Sequence, residues 1–503
     1  MADEERGAAT TGAPEQTRDY AVVSAQRARE VPEGASARLT WSGGDAPIDY
    51  EARAAHVEVR DDAGTLVGQM FSLSYVALGE DGRPDPARPV TFAYNGGPGS
   101  SSVPINFGGI GPRRVRPDGM RHVRADAPVE DNPHTLLVDS DVVFLDALGT
   151  GWSVLAEDAD PKKVFCTDGD ADAFARAICA WLTDNGRWSS PLYLYGESYG
   201  TVRNAALMRL LGERGVQLTG VVMLSAVFNI AGLINPGDDL YYLGMMPTFA
   251  ATAQFFGKAG AGVDEDEWFD RAMAFAEDEL AGALLRGDRL GEERERAVAR
   301  RMSEFIGLDV EHILSRRLRV DLLDFRRHLL ADEGRVCGRL DTRFSSDGPS
   351  PMQSFDTWLA GEDAADDALE GAWVRAFRRF CADELGYRGP ARYLSNNYDK
   401  VNASWDWGHE EPGLGRVATP NMALDVAVAL RRNPTCKLAI IGGRYDAATT
   451  WWNVVHDMSH QFLSAELKGR VSWYRYGCGH MAYVDADALA AMGRDVHEFY
   501  GKR

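Results

Sequence analysis

Leu192-Tyr193-Leu194-Tyr195-Gly196-Glu197-Ser198-Tyr199-Gly200-Thr201 (LYLYGESYGT) reads as a buried strand, a tight turn and the start of a helix. The apolar and aromatic run Leu192 to Tyr195 has the length of a buried strand, and apolar residues recur at helical spacing from Val202 to Leu211. Between them, Gly-x-Ser-x-Gly puts small residues on both sides of Ser198. A strand-to-helix turn sharp enough to hold a serine hydroxyl above a sheet needs that smallness. With 52 Gly in the 503 residues, the same pentapeptide also arises as a purely structural turn. Ser198 is therefore a nucleophile candidate that requires partners.

Similar segments flank it. Residues 55 to 76 alternate polar and apolar side chains around a turn, the pattern of a half-exposed antiparallel hairpin. Buried-looking strands follow at Val90 to Tyr94, Asp141 to Leu145, Val221 to Ser225, Lys437 to Ile441 and Val471 to Tyr476, with helical patterns such as Ala171 to Thr183 between several of them. Alternation of this kind predicts an α/β fold with a mostly parallel central sheet and antiparallel N-terminal strands. From Asn235 to about Arg416 the character changes. Glu265 to Leu285, Glu292 to Ile306, Val310 to Leu330 and Ala368 to Leu385 read as charged amphipathic helices with no convincing strand among them. The expected organisation is a leader at 1–18 too polar to fold, a core of 19–234 and 417–503, and a helical cap inserted at 235–416.

A serine hydroxyl is a poor nucleophile unless a histidine takes its proton and an acid orients that histidine. In a sheet of this kind the order along the chain is Ser, acid, His. The strand Lys437 to Ile441 runs into Gly442-Gly443-Arg444-Tyr445-Asp446, and Val471 to Tyr476 into Gly477-Cys478-Gly479-His480. One helix, Thr450 to Leu463, fits between them. Asp446 and His480 are thus the expected acid and base, the alternative for His480 being a solvated loop histidine. The loop Asn95-Gly96-Gly97-Pro98-Gly99 follows another strand end; glycines let backbone N–H groups approach a developing oxyanion. Gly97 and Tyr199 are the candidate oxyanion donors. A phosphate cradle is the competing reading of that loop, but no Gly-Lys-Ser/Thr follows it.

These segments, with YNGGPGSSS at Tyr94 to Ser102, GPRRV at Gly111 to Val115, DALGTGWS at Asp146 to Ser153, YGESYGT at Tyr195 to Thr201, GRLDTRF at Gly338 to Phe344, NASWDWG at Asn402 to Gly408 and GCGHM at Gly477 to Met481, make the chain resemble the serine carboxypeptidases (peptidase family S10), in particular a bacterial, cytosolic-looking branch. The resemblance spans about Tyr50 to Tyr500. It implies an α/β-hydrolase fold whose helical insertion roofs the site, with Ser198, Asp446 and His480 as the triad. It further implies that Asn95, Gly96 and Glu197 hold the free C-terminal carboxylate of a peptide. A carboxylic acid donates to a carboxylate only while protonated, so Glu197 is expected to keep its proton well above the ~4.3 of a free Glu. The alternative is a Glu197 that packs beneath the turn and bonds the backbone. Two departures stand out. Ser100 occupies the place of a disulfide cysteine in eukaryotic relatives, and Gly109 that of a second acid found in many relatives, which leaves the carboxyl cluster incomplete.

Composition narrows the rest. A net charge of −21 argues against nucleic acid and anionic membranes as partners. Six Cys without CxxC or close pairs, and an N-terminus without an apolar stretch, point to reduced thiols and a cytoplasmic location. No cofactor or metal is expected; His456 and His460, four apart on a helix, read as surface or packing residues. Trp405, Trp407, Trp451 and Trp452 are candidates for cleft walls or core. The expected activity is removal of C-terminal residues from peptides, with an esterase or acyltransferase acting on an acylated small molecule as the alternative, and a silent binding protein behind both. The oligomeric state stays open, a homodimer included.

Overall fold

The computed structural model describes residues 31–116, 123, 126–349, 363–389 and 392–501. The expected leader at 1–18 lies outside the described residues. The central sheet has ten strands: β1 (Ala35–Trp41), β2 (Ile48–Arg60), β3 (Leu66–Ala77), β4 (Val90–Tyr94), β5 (Asp141–Leu145), β6 (Val154–Leu155), β7 (Leu192–Glu197), β8 (Leu218–Leu224), β9 (Lys437–Gly443) and β10 (Val471–Tyr476). Their spatial order is β1-β2-β3-β5-β4-β7-β8-β9-β10, with β6 beside β3. Pairing is antiparallel from β1 to β5 across β2 and β3, and parallel from β5 through β10. This is the α/β-hydrolase arrangement. β1 was not anticipated; it is half-exposed at the sheet edge, and its first six residues alternate between intermediate and exposed.

The parallel strands are apolar on both faces because helices cover both. Along β4, Val90, Phe92 and Tyr94 enter one core with the helices Thr167–Asp184, Tyr199–Glu213 and Ala423–Arg432. Ala93 enters the opposite core with the C-terminal helix Ala486–Gly501 and the helix Ala364–Arg379. A third core lies inside the inserted segment, among the helices Asp239–Phe255, Glu265–Phe275, Glu292–Ile306 and Leu322–His328.

Two expectations for that segment are corrected. Short antiparallel hairpins do occur in it, Arg335–Cys337 with Ser345–Asp347 and His409–Glu411 with Gly415–Val417. Three-residue strands are too short for a period to register. The expected helix at 310–330 is broken into Val310–Ser315 and Leu322–His328, because Arg317 and Leu318 take positive φ values of 53° and 65°. Residues 218–237 and 241–257 carry no charged side chain; most of them are buried, in β8 and in the helix Asp239–Phe255. Among the described residues no helix is long and apolar enough to cross a membrane.

Candidate active site

β7 ends in Glu197, and Ser198 forms the turn with φ 60° and ψ −128°, outside the regions open to an ordinary L-residue. Holding a non-glycine residue there costs about 1–3 kcal/mol. The backbone around it excludes a side chain at Gly196, where a Cβ would lie 2.3 Å from Gly200 O, and crowds one at Gly200, where it would lie 3.1 Å from Tyr94 O. Ser198 N donates to Leu224 O at 3.0 Å, and Ser198 O accepts from Thr201 N at 2.8 Å. Ser198 lines a cavity of about 430 Å³ that also contains His480, Glu197, Asn95, Gly96, Gly97 and Tyr199.

The acid and base occupy the ends of adjacent strands, as β9 and β10 pair in parallel. Asp446 is fully buried. Its Oδ1 accepts from Ala448 N at 2.8 Å and Thr449 N at 2.9 Å; its Oδ2 accepts from the Thr449 hydroxyl at 2.8 Å. His480 Nδ1 donates to the same Oδ2 at 2.8 Å, which leaves Nε2 as the nitrogen free to take a proton. Burial alone would lower the His480 pKa, but the charge and hydrogen bond of Asp446, with the charge of Glu197, outweigh it and raise the pKa above the ordinary value.

Glu197 is buried beside this pair. Tyr483 OH lies 2.9 Å from Oε2 and 3.1 Å from Oε1 of its carboxyl. Burial pushes the carboxyl up to about 7; His480, the Tyr483 hydroxyl and Asn95 pull it down, less strongly. Asn95 accepts from Ile105 N at 3.0 Å through Oδ1, so its amide nitrogen is the end left for Glu197 and a ligand. Gly96 lies so close to the turn that a Cβ would fall 2.4 Å from Tyr199 N, and Gly97 has φ +109°. Neither Gly97 N–H nor Tyr199 N–H donates to another group among the described residues. Both residues line the cavity that holds Ser198.

Several residues of the site were not singled out from the sequence. Asp366, Glu370 and Arg339 line the same cavity. Burial, then the charges of Asp363 and Glu370, push Asp366 up to about 7 against the pull of Arg339 and His480. Asp366 thus adds a second raised carboxyl to the cavity wall, from a different place than Gly109. A Cβ at Gly109 would sit 3.0 Å from the Tyr483 ring, so that position is filled by an aromatic side chain, and a second acid reaches the cavity from a distant helix. Buried Arg203 donates to Asp170 Oδ2 at 2.7 Å and to Asn95 O at 3.0 Å, and its guanidinium lies 4.0 Å from the centre of the Phe174 ring. A charge on an otherwise apolar helix face was the available signal. Asp146, from the DALGTGWS stretch, accepts from Ser102 N and Oγ, both at 2.8 Å, and from Tyr393 OH at 2.9 Å, which fixes the far end of the glycine loop. Ser100 Oγ donates to Asn396 Oδ1 at 2.8 Å. Trp407 lines the cavity, while Trp405 packs edge-on against Tyr199, ring centres 5.2 Å apart. Trp451 and Trp452 are buried away from it.

The fold is that of the α/β-hydrolases, and it brings Ser198, His480 and the buried Glu197 carboxyl to one cavity, with Asp446 behind His480. Residues 56–251 match the serine carboxypeptidase family, peptidase S10. No curated protein matches the chain. Among solved structures it is similar to KEX1(delta)p, a prohormone-processing carboxypeptidase from Saccharomyces cerevisiae, at 13% identity and a TM-score of 0.52, over 89% of this chain and 91% of that one. It is also similar to the peroxisomal α/β-hydrolase Lpx1 of Saccharomyces cerevisiae (11% identity, TM-score 0.34, 94% of this chain and 90% of that one). A thermophilic esterase from Thermogutta terrifontis matches at 10% identity and TM-score 0.33, over 89% of this chain and 98% of that one.

Proposed function

We propose that the protein is a serine carboxypeptidase that removes C-terminal residues from peptides through an acyl-enzyme on Ser198. The observation that carries this is Glu197, a buried carboxyl raised to about 7, in the cavity lined by Ser198, Asn95 and His480, with Asp446 bonded behind His480. Such a carboxyl suits a carboxylate reader, because a neutral carboxyl donates a hydrogen bond to an anion without adding charge repulsion.

In the reaction, Asn95, the Gly96 backbone and protonated Glu197 hold the C-terminal carboxylate of the peptide, which sets the last peptide carbonyl against Ser198. Ser198 Oγ attacks that carbon as His480 Nε2 takes its proton, and Asp446 stabilises the imidazolium through Nδ1. The oxyanion is received by Gly97 N–H and Tyr199 N–H. His480 returns the proton to the departing amine, and a water molecule, activated by the same imidazole, then cleaves the ester. Residues 235–416 serve as the roof of the site, contributing Arg339, Asp366, Glu370, Trp373, Asn396, Tyr398, Asn402 and Trp407 to the cavity wall. All six cysteines are free, which supports a reducing compartment such as the cytosol.

The test compares a peptide free acid with its C-terminal amide. A preference of at least about 100-fold in kcat/KM for the acid is expected, from loss of charge-assisted hydrogen bonds worth roughly 1.5–3 kcal/mol each. Equal rates would reject Asn95 and Glu197 as readers of the terminus.

A further inference from the structure

Gly338–Phe344 (GRLDTRF) belongs to the inserted segment, yet it runs between the two loops that carry the acid and the base. Toward the base, His480 N donates to Leu340 O at 2.6 Å, Gly479 N donates to Asp341 Oδ2 at 3.1 Å, and Arg343 Nη1 donates to Gly477 O at 2.8 Å. Toward the acid, Ala447 N donates to Arg339 O at 3.1 Å, and Thr342 donates to Tyr445 O through N at 3.0 Å and through Oγ1 at 3.2 Å. Both neighbours of Asp446 and three of the four residues 477–480 are thereby bonded to one short stretch of chain. The fit is close: a Cβ on Gly479 would lie 2.3 Å from Asp341 Cβ.

The stretch is itself held rigid. Asp341 is buried and receives Arg343 as a fork, Nε to Oδ1 at 3.0 Å and Nη2 to Oδ2 at 2.7 Å, with Arg343 N to Oδ1 at 3.0 Å. Arg343 Nη1 also bonds Asp485 Oδ2 at 2.9 Å, and the guanidinium stacks over the Tyr445 ring with its carbon 4.9 Å from the ring centre. A planar fork of this kind fixes direction as well as distance, which a lysine ammonium does not.

We propose that Asp341, Thr342 and Arg343 are positioning residues that set His480 against Asp446, so that the inserted segment builds the catalytic base as well as covering it. The proposal rests on the carboxypeptidase reading of the site. β9 and β10 fix only the roots of the two loops; the 2.8 Å contact between Nδ1 and Oδ2 forms beyond the strand ends. Supporting groups must hold such a constellation to within about 0.5 Å, and a displacement of about 1 Å costs on the order of 100-fold in rate.

The experiment uses the full chain with Arg343→Lys, Asp341→Asn and Thr342→Val. It reads kcat and KM on a peptide free acid, the rate of fluorophosphonate labelling, the low-field proton resonance of the His480–Asp446 hydrogen bond, and the thermal midpoint. Arg343→Lys and Asp341→Asn are expected to lower kcat and the labelling rate by about 10- to 100-fold with KM within about threefold, and to shift or broaden the resonance. Thr342→Val, which removes one hydroxyl and keeps the volume, is expected to lower kcat a few-fold. If Asp341→Asn does not fold, the other two variants decide. Folded variants with parental kcat, labelling rate and resonance, even at a lowered midpoint, overturn the proposal. The resonance needs no substrate, so a parental protein that cleaves no peptide would reject the carboxypeptidase reading while the positioning of His480 is still decided.

Discussion

A carboxyl buried next to a histidine–aspartate pair, as Glu197 is, exchanges its proton near neutrality instead of near pH 4. Its pKa in the folded chain is about 7 against an ordinary 4.5, so below pH 7 it carries the proton through which, under the proposed function, it donates to a bound carboxylate. As pH rises through 7 the donor is lost and two anions face each other. KM for a peptide free acid is therefore expected to rise above pH 7 with a slope approaching tenfold per pH unit, while KM for an ester or amide stays flat. Glu197→Gln, which keeps a donor at every pH, should remove the slope; a persistent slope would assign the titration elsewhere. Ser198 is tested by substitution as well. Ser198→Ala is expected to abolish fluorophosphonate labelling and to lower kcat by about 10⁶-fold, the scale on which loss of a serine nucleophile is felt. Ser198, Asp446 and His480 were legible because each sits in a glycine-bearing turn at the end of an apolar run. Asp366 was not, since the acids that open the helix Ala364–Arg379 read equally well as favourable charges at a helix N-terminus.

The helix Tyr199–Glu213 links site and core through Arg203, whose charge is fully enclosed. Arg203→Met leaves Asp170 as an unpaired buried charge and frees Asn95 O. Breaking a buried pair from one side costs about 3–5 kcal/mol. Urea denaturation is expected to register a loss of that size, together with a raised KM as the Asn95 loop loosens; a change below about 1 kcal/mol would contradict the role given to Arg203. Elements with a full period were readable: Glu292–Ile306 and Val471–Tyr476 have the limits that the apolar pattern gives them. Those that fail do so for local reasons. Arg317 and Leu318 adopt left-handed φ values that no periodicity announces, and the hairpins at 335–347 and 409–417 have strands of only three residues. An amphipathic pattern also does not say which core a helix joins. Ala364–Arg379 packs with Phe71, Trp152 and Tyr387 against the sheet, whereas Glu292–Ile306 joins the core formed mostly by its inserted neighbours.

At the scale of the molecule, three hydrophobic cores carry the fold with no disulfide among six free cysteines. Reductant is accordingly expected to leave the thermal midpoint unchanged, and a drop of several degrees under thiol would reveal a cross-link. The net charge of −21 argues against polyanions as partners, yet the substrate end that the proposed function calls for is itself an anion. Under the proposed function that anion is received locally, by Asn95, backbone N–H groups and the protonated form of Glu197. The most direct measurement is mass spectrometry of a peptide incubated with the full chain, beside the same peptide amidated at its C-terminus and beside Ser198→Ala protein. Stepwise loss of residues from the free C-terminus is expected, with the amide intact and the variant inert. Internal cleavage, equal trimming of the amide, or an untouched peptide despite labelled Ser198 would contradict a carboxypeptidase.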